Sequence, residues 1–220
     1  EITAVHATFK GTADHVTDLR RMKADIQVDA KTKHLNFITA LIDPEMSDII
    51  RIPDGITLNG KMTANGTKYS ANLEAGEGSG SIRLNGSAMI PLNAKGEFAT
   101  EMTSYDADIS IKDLNVNHFL PKDSIYTLSA DMKASGYGTD LMSSESRLTA
   151  DASIQALQYG QWNLDNITAT VNLQNGRGQA NITGHNNILD GSIGADLMLN
   201  SRKIEGTISG DFTKADLYQM

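Results

Sequence analysis

The run Leu148-Thr149-Ala150-Asp151-Ala152-Ser153-Ile154-Gln155 alternates apolar and polar residues one for one, and its reading decides the fold. Successive Cβ atoms of an extended chain point to opposite sides, so a period of two describes a β-strand with one dry and one wet face. The period continues through Ile167, Ala169, Val171 and Leu173, and then through Ala180 and Ile182. It resumes in Ile193, Ala195, Leu197 and Leu199, and again in Ile204, Ile208 and Phe212. The dry face must meet something apolar, and what that is becomes the functional question.

Towards the N-terminus the same alternation predicts further strands. Thr3, Val5, Ala7 and Phe9 form the first, ending at Lys10-Gly11, and residues 13–21 form a short helix or a long turn. Met22, Ala24, Ile26 and Val28 follow, then a turn at Asp29–Lys33 and a strand through Leu35, Phe37, Thr39 and Leu41. In Asp43-Pro44-Glu45-Met46-Ser47-Asp48-Ile49-Ile50, Asp is a good N-cap and Pro suits the first helical position. Met46, Ile49 and Ile50 fall at i, i+3 and i+4, which predicts a short helix over 43–50 closed by Pro53. Strands are expected at 56–64, 69–75 and 82–88, with a glycine-rich hairpin turn at 76–80. Two more are expected through Phe98, Thr100 and Met102, and through Tyr105, Ala107, Ile109 and Ile111. Asn175-Gly176 and Asp190-Gly191 read as turns between the later runs.

The chain also repeats itself. Asp113, Val116, Phe119 and Leu120 stand 70 residues after Asp43, Met46, Ile49 and Ile50, which predicts a second short helix over 114–120 before Pro121. Leu128 and Met132 follow Leu58 and Met62 at the same offset. The expected fold is therefore all-β: an elongated, curled antiparallel sheet forming a groove, with two short helices and repeat units at about 22–104 and 105–214. Residues 1–220 read as one β-rich segment of a longer rod.

Composition narrows the function. The net charge is −8, and no basic cluster exceeds Arg20-Arg21 with Lys23, so the footprint of a nucleic-acid binder is missing. There is no cysteine, and the five histidines lie far apart without metal-ligand spacing. No nucleophile elbow or calcium nonapeptide occurs, and Asp106, Asp108, Asp151 and Asp196 fall at wet-face strand positions. No catalytic residue, metal site or cofactor is assigned. No run approaches the length of a spanning helix, and the scarcity of aromatic residues, at 5%, counts against the girdles of a membrane barrel.

The candidate lipid-contacting residues are the larger members of the dry face: Leu128, Met132, Leu148, Ile154, Ile167, Val171, Leu173, Ile193, Leu197, Leu199, Ile208 and Phe212. Acyl chains would fill such a face favourably, each CH₂ removed from water contributing about 0.8 kcal/mol. The small residues Ala150, Ala152, Ala169, Ala195 and Gly206 would leave room for them. They would equally let two walls of a flattened sandwich pack, giving a structural or adhesive stalk. A β-solenoid hydrolase would need aromatic residues for sugar stacking, and Trp162 is the one tryptophan.

Several phrases resemble the TamB proteins of the AsmA-like superfamily of Gram-negative bacteria. They are Lys112-Asp113-Leu114-Asn115-Val116-Asn117-His118-Phe119-Leu120-Pro121-Lys122-Asp123-Ser124, Ala134-Ser135-Gly136-Tyr137-Gly138-Thr139-Asp140, Tyr159-Gly160-Gln161-Trp162-Asn163-Leu164-Asp165-Asn166-Ile167 and Ala215-Asp216-Leu217-Tyr218. The resemblance covers the second half of the chain directly and the first half through the repeat. It implies an internal segment of a periplasmic rod anchored in the inner membrane. It also implies a groove that moves phospholipid towards the outer membrane and works with an outer-membrane barrel partner.

Overall fold

The computed structural model describes residues 5–33, 49–200 and 203–215. Among them are thirteen strands: β1 (Val5–Asp14), β2 (Lys23–Thr32), β3 (Thr57–Asn65), β4 (Lys68–Glu77), β5 (Gly80–Met89), β6 (Ser104–Asn115) and β7 (Ile125–Tyr137). β8 (Arg147–Tyr159), β9 (Trp162–Asn163), β10 (Ile167–Gln174), β11 (Arg177–His185), β12 (Leu189–Asn200) and β13 (Lys203–Ala215) follow. They form a single antiparallel sheet in chain order, except that the short β9 pairs with β8 alone and β10 takes the next place beside β8. The sheet is open and curled, with β1 and β13 at its edges. Twelve strands at about 4.8 Å give it a length of about 53 Å across the strands.

The strand pattern expected from alternation is present, with local corrections. β1 runs past Lys10-Gly11 to Asp14, because Gly11 is not a terminator. Its φ of 148° and its place against Ile26 put the missing Cβ on the Asp25 carbonyl, so glycine lets the two strands approach. Residues 15–22 form the long turn, held by Asp18 N–H donating to the His15 carbonyl at 2.9 Å. Asp29–Thr32, expected as a turn, extends β2 and pairs with β1. The strand expected at 35–41 and the body of the helix at 43–50 lie outside the described residues.

The second expected helix is a single 3₁₀ turn at Val116–His118. Leu114 and Asn115 belong to β6 instead. A bulge there, with Asp113 at φ 47°, swings Leu114 into the interior, and Pro121 stops the turn soon after. Phe98, Thr100 and Met102 make no strand either. Phe98 bridges Leu92, Thr100–Met102 is a 3₁₀ turn, and the small Ala99 between them is the buried residue, its N–H donating to the Pro91 carbonyl at 2.9 Å. Asn175-Gly176, both at positive φ, form the expected tight turn between β10 and β11. Asp190-Gly191 instead lies inside β12 at the bulge against β13, and the chain reverses at 186–188.

Candidate functional site

Strand register converts the alternation into a surface. One row runs Gly11, Ile26, Met62, Ala71, Gly86 and Ala107 across β1–β6. It continues through Ala134, Ala150, Val171, Ala180, Ala195 and Ile208 to β13, each residue opposite the next. Parallel rows start at Ala13, Phe9 and Ala7. Four rows thus cross all twelve strands of the main path, and none of them contains an Asp, Glu, Lys or Arg. The hydroxyls of Tyr69 and Tyr105, in the row from Ala13, are their only side-chain polar groups.

All twelve candidates lie on this face. Ile154 stands opposite Ile167, Leu148 opposite Leu173, and Phe212 opposite Gly191. The face also extends onto β1–β6 through Phe9, Ile26, Val28, Met62, Leu73, Leu84 and Ile109, residues the candidate set omits. Their own strands alternate as clearly. What the sequence alone lacked was the register that carries the face of β7–β13 through to β1.

Bulges preserve the face where strict alternation would break it. The apolar positions step by three from Ile111 to Leu114 and from Ile154 to Leu157, and the extra residue keeps Leu114 and Leu157 opposite Leu128. Around the first bulge Asp113 N–H donates to Ser129 Oγ at 2.9 Å, and Ser129 Oγ donates to Asp113 Oδ1 at 3.2 Å.

Large residues lean over small neighbours within the face. The Tyr105 ring occupies the space above Gly136, and the Phe212 ring covers Gly191 and Gly210. Over β2–β6 the face is hollow, and a cavity of ≈ 570 Å³ is lined by Val16, Met22, Ile26, Met62, Leu84 and Tyr105.

Among the described residues little covers this surface. On interior strands Ile182 is 45% exposed and Ile193 40%, most of the face is half-buried, and Leu173 at 4% is among the few buried apolar residues described. Four rows by twelve strands amount to about 1,000 Å², against about 300–600 Å² for the largest apolar patch of an ordinary monomer.

The opposite face is mostly polar, with Met89 and Met198 as its exposed apolar exceptions. Asp108 meets Lys133 at 3.4 Å and Asp25 meets Lys61 at 2.8 Å, pairs that join neighbouring strands. Arg177 Nε donates to Asp196 Oδ1 at 2.8 Å, and this hydrogen bonding holds the Asp196 carboxyl below its ordinary value. Thr213, donating at 2.6 Å, and His185 at 2.7 Å do the same for Asp190. A larger hollow of ≈ 680 Å³ lies on this wet side, between Lys10, Gln27, Asp29, Asn59, Lys61 and Asn72. Its walls are solvated surface side chains, so the apolar face remains the candidate site.

Neither a family model, a curated protein nor a solved structure matches the chain.

Proposed function

We propose that this chain is a non-enzymatic segment of a periplasmic bridge, part of an inner-membrane-anchored protein of a Gram-negative bacterium. Its apolar groove carries phospholipid acyl chains between the two membranes and, with an outer-membrane barrel partner, supports outer-membrane assembly. The observation that carries the reading is the continuous apolar face, free of charge over all twelve strands of the main path and left largely uncovered. Seven residues of strand span about 23 Å, of the order of an extended acyl chain, so such a chain lies on the face in contact along its whole length. Burial at about 0.8 kcal/mol per CH₂ supplies the attraction, and an unbroken series of near-equivalent sites lets the chain move without a deep trap.

A self-packed stalk is the competing reading, and it needs an opposing wall over the dry face. The exposure of Ile182 and Ile193 on interior strands weighs against it. The test places photo-crosslinkers at Ile167 and Ile193 on the apolar face and at Thr149, Thr170 and Asp196 on the polar face, in living cells. Phospholipid captured by the first set alone supports the conduit. Equal labelling of both faces removes it.

A further inference from the structure

Three polar side chains from separate parts of the chain meet where β4 ends and β6 leads into its 3₁₀ turn. Glu77 closes β4 opposite Gly80, and Gly80 lies so tightly against the β6 bulge that a Cβ there would meet the Asp113 carbonyl at 2.7 Å. Glu77 in turn reaches the 3₁₀ turn at Val116–His118. Its side chain is only 11% exposed, and its carboxylate accepts from His118 Nδ1–H at 2.8 Å. A carboxylate can only accept, so Nδ1 carries a proton and Nε2 of the neutral ring is bare. Asn115 Nδ2 donates to that Nε2 at 3.0 Å, and Asn115 Oδ1 is left buried with no hydrogen-bond partner. Two deficits result: a nearly buried carboxylate faces a neutral partner, and a buried carbonyl oxygen lacks a donor.

We propose that His118 is a proton-operated latch between the β4–β5 hairpin and the β6–β7 connection. A proton on Nε2 gives Glu77 an opposite charge. It also changes Nε2 from acceptor to donor, so the Asn115 amide turns over and Oδ1 accepts from the ring. Imidazole changes charge between about pH 5 and 8, so the latch tightens as pH falls through that range and loosens as it rises. Glu77 is the one ion-pair partner of His118 among the described residues. The other charged side chains on the segments meeting here are Lys112 and Asp113 of β6, Lys122 and Asp123 beyond the turn, and Arg51 and Asp54 on the approach to β3. Asp113 Oδ1 is engaged by Ser129, and Asn117 Nδ2 braces the turn in either state by donating to the Pro121 and Asp123 carbonyls. The closed latch holds a junction of three segments, because Arg51 N–H donates to the Phe119 carbonyl at 2.7 Å just after His118. It does not depend on the lipid reading.

Nitrogen NMR of the imidazole and amide hydrogen exchange test this on the whole chain. At about pH 8 the His118 ring should be the Nδ1–H tautomer, the reverse of what free histidine prefers, and at about pH 5.5 both nitrogens should carry protons. The Phe119 and Leu120 amides, which donate to the Val116 carbonyl at 2.9 Å, report the turn. Corrected for the intrinsic pH dependence of exchange, their protection should be about tenfold greater at the lower pH, the effect of a charge-assisted hydrogen bond in place of a neutral one. Ladder amides such as that of Ala150 should show no such change. His118→Gln keeps a donor for Glu77 but takes up no proton, and should abolish the difference. Asn115→Asp offers Nε2–H a charged acceptor without any turning of the amide, and should carry the protection to higher pH. An Nε2–H tautomer at the higher pH overturns the proposal, as does equal protection at both. So does a pH dependence that survives in His118→Gln. The first two readouts use the unsubstituted chain, so they decide the matter even where a variant fails to fold.

Discussion

Replacing Ala169 and Ala195 together by Asp puts two carboxylates in the middle of the apolar face. Ala169 stands between Ala152 and Ile182, and Ala195 between Ala180 and Ile208. In a sealed core each unpaired carboxylate would cost several kcal/mol, and two would consume most of the about 5–15 kcal/mol that holds a domain together. The neighbours Ile182 and Ile208 are 45% and 75% exposed, so water reaches both new charges and they stay solvated. What remains is the poor strand propensity of Asp, about 1 kcal/mol per site on a scale of that span, or about 2 kcal/mol in all. For a chain of this size that lowers the melting temperature by about 4–8 °C. Far-UV circular dichroism should therefore show a cooperative β-sheet melt, slightly shifted, while native mass spectrometry shows loss of co-purified lipid. In the full-length protein the variant should fail to support the outer-membrane barrier. Loss of the cooperative transition would refute the open face, and undiminished lipid and barrier function would refute the conduit.

Other expectations separate covered from uncovered parts of the same surface. Leu173→Ala removes a buried side chain and should cost about 2–5 kcal/mol, whereas Ile208→Ala should stay within about 1 kcal/mol, both by chemical denaturation. Gly191→Ala drives a Cβ onto the Asp211 carbonyl and the Phe212 ring and should destabilise by about 1–3 kcal/mol, while Gly178→Ala meets only Leu199 and Leu173 methyls at ordinary distances and should be neutral or stabilising. Asp190 and Asp196 have lowered pKa values, so protons bind the unfolded chain more readily than the folded one. Their stabilising contribution is complete above about pH 5 and is lost as pH falls below about 4, and Arg177→Ala should move the Asp196 titration, followed by NMR, back towards 3.8.

Much of the architecture was legible because each strand carries its own instruction. Alternation in Leu148–Gln155 or Ile167–Gln174 fixes both the strand and its dry side without reference to any neighbour. The misreadings arose where two signals overlapped. Asp190-Gly191 has turn chemistry, yet Thr213 and His185 hold Asp190 within a bulged ladder, and Gly191 lies under Phe212. Asp113–Leu120 has helix-start chemistry, but Leu114 is more stable as a buried continuation of β6 opposite Leu128. The extent of the site was not legible for a different reason. Whether Phe9 and Phe212 share a face depends on eleven successive registers, and a slip of one residue in any of them would invert everything beyond it.

The same registers explain how so exposed a face remains part of a stable sheet. Backbone ladders satisfy each interior strand on both sides, and large-on-small pairs such as Tyr105 over Gly136 give lateral contact within a single layer. The missing layer is what a sandwich would supply from its second sheet. On the conduit reading acyl chains are that layer, so lipid binds the folded chain and has no equivalent site on the unfolded one. Occupancy then stabilises the fold by mass action, by about 2.7 kcal/mol when lipid is present at about a hundred times its dissociation constant. Stripping lipid with detergent and returning it should lower and then restore the melting temperature, and the Ala169→Asp, Ala195→Asp variant should show little of that response. A melting temperature indifferent to lipid in the unsubstituted chain would mean that the apolar face is satisfied without it.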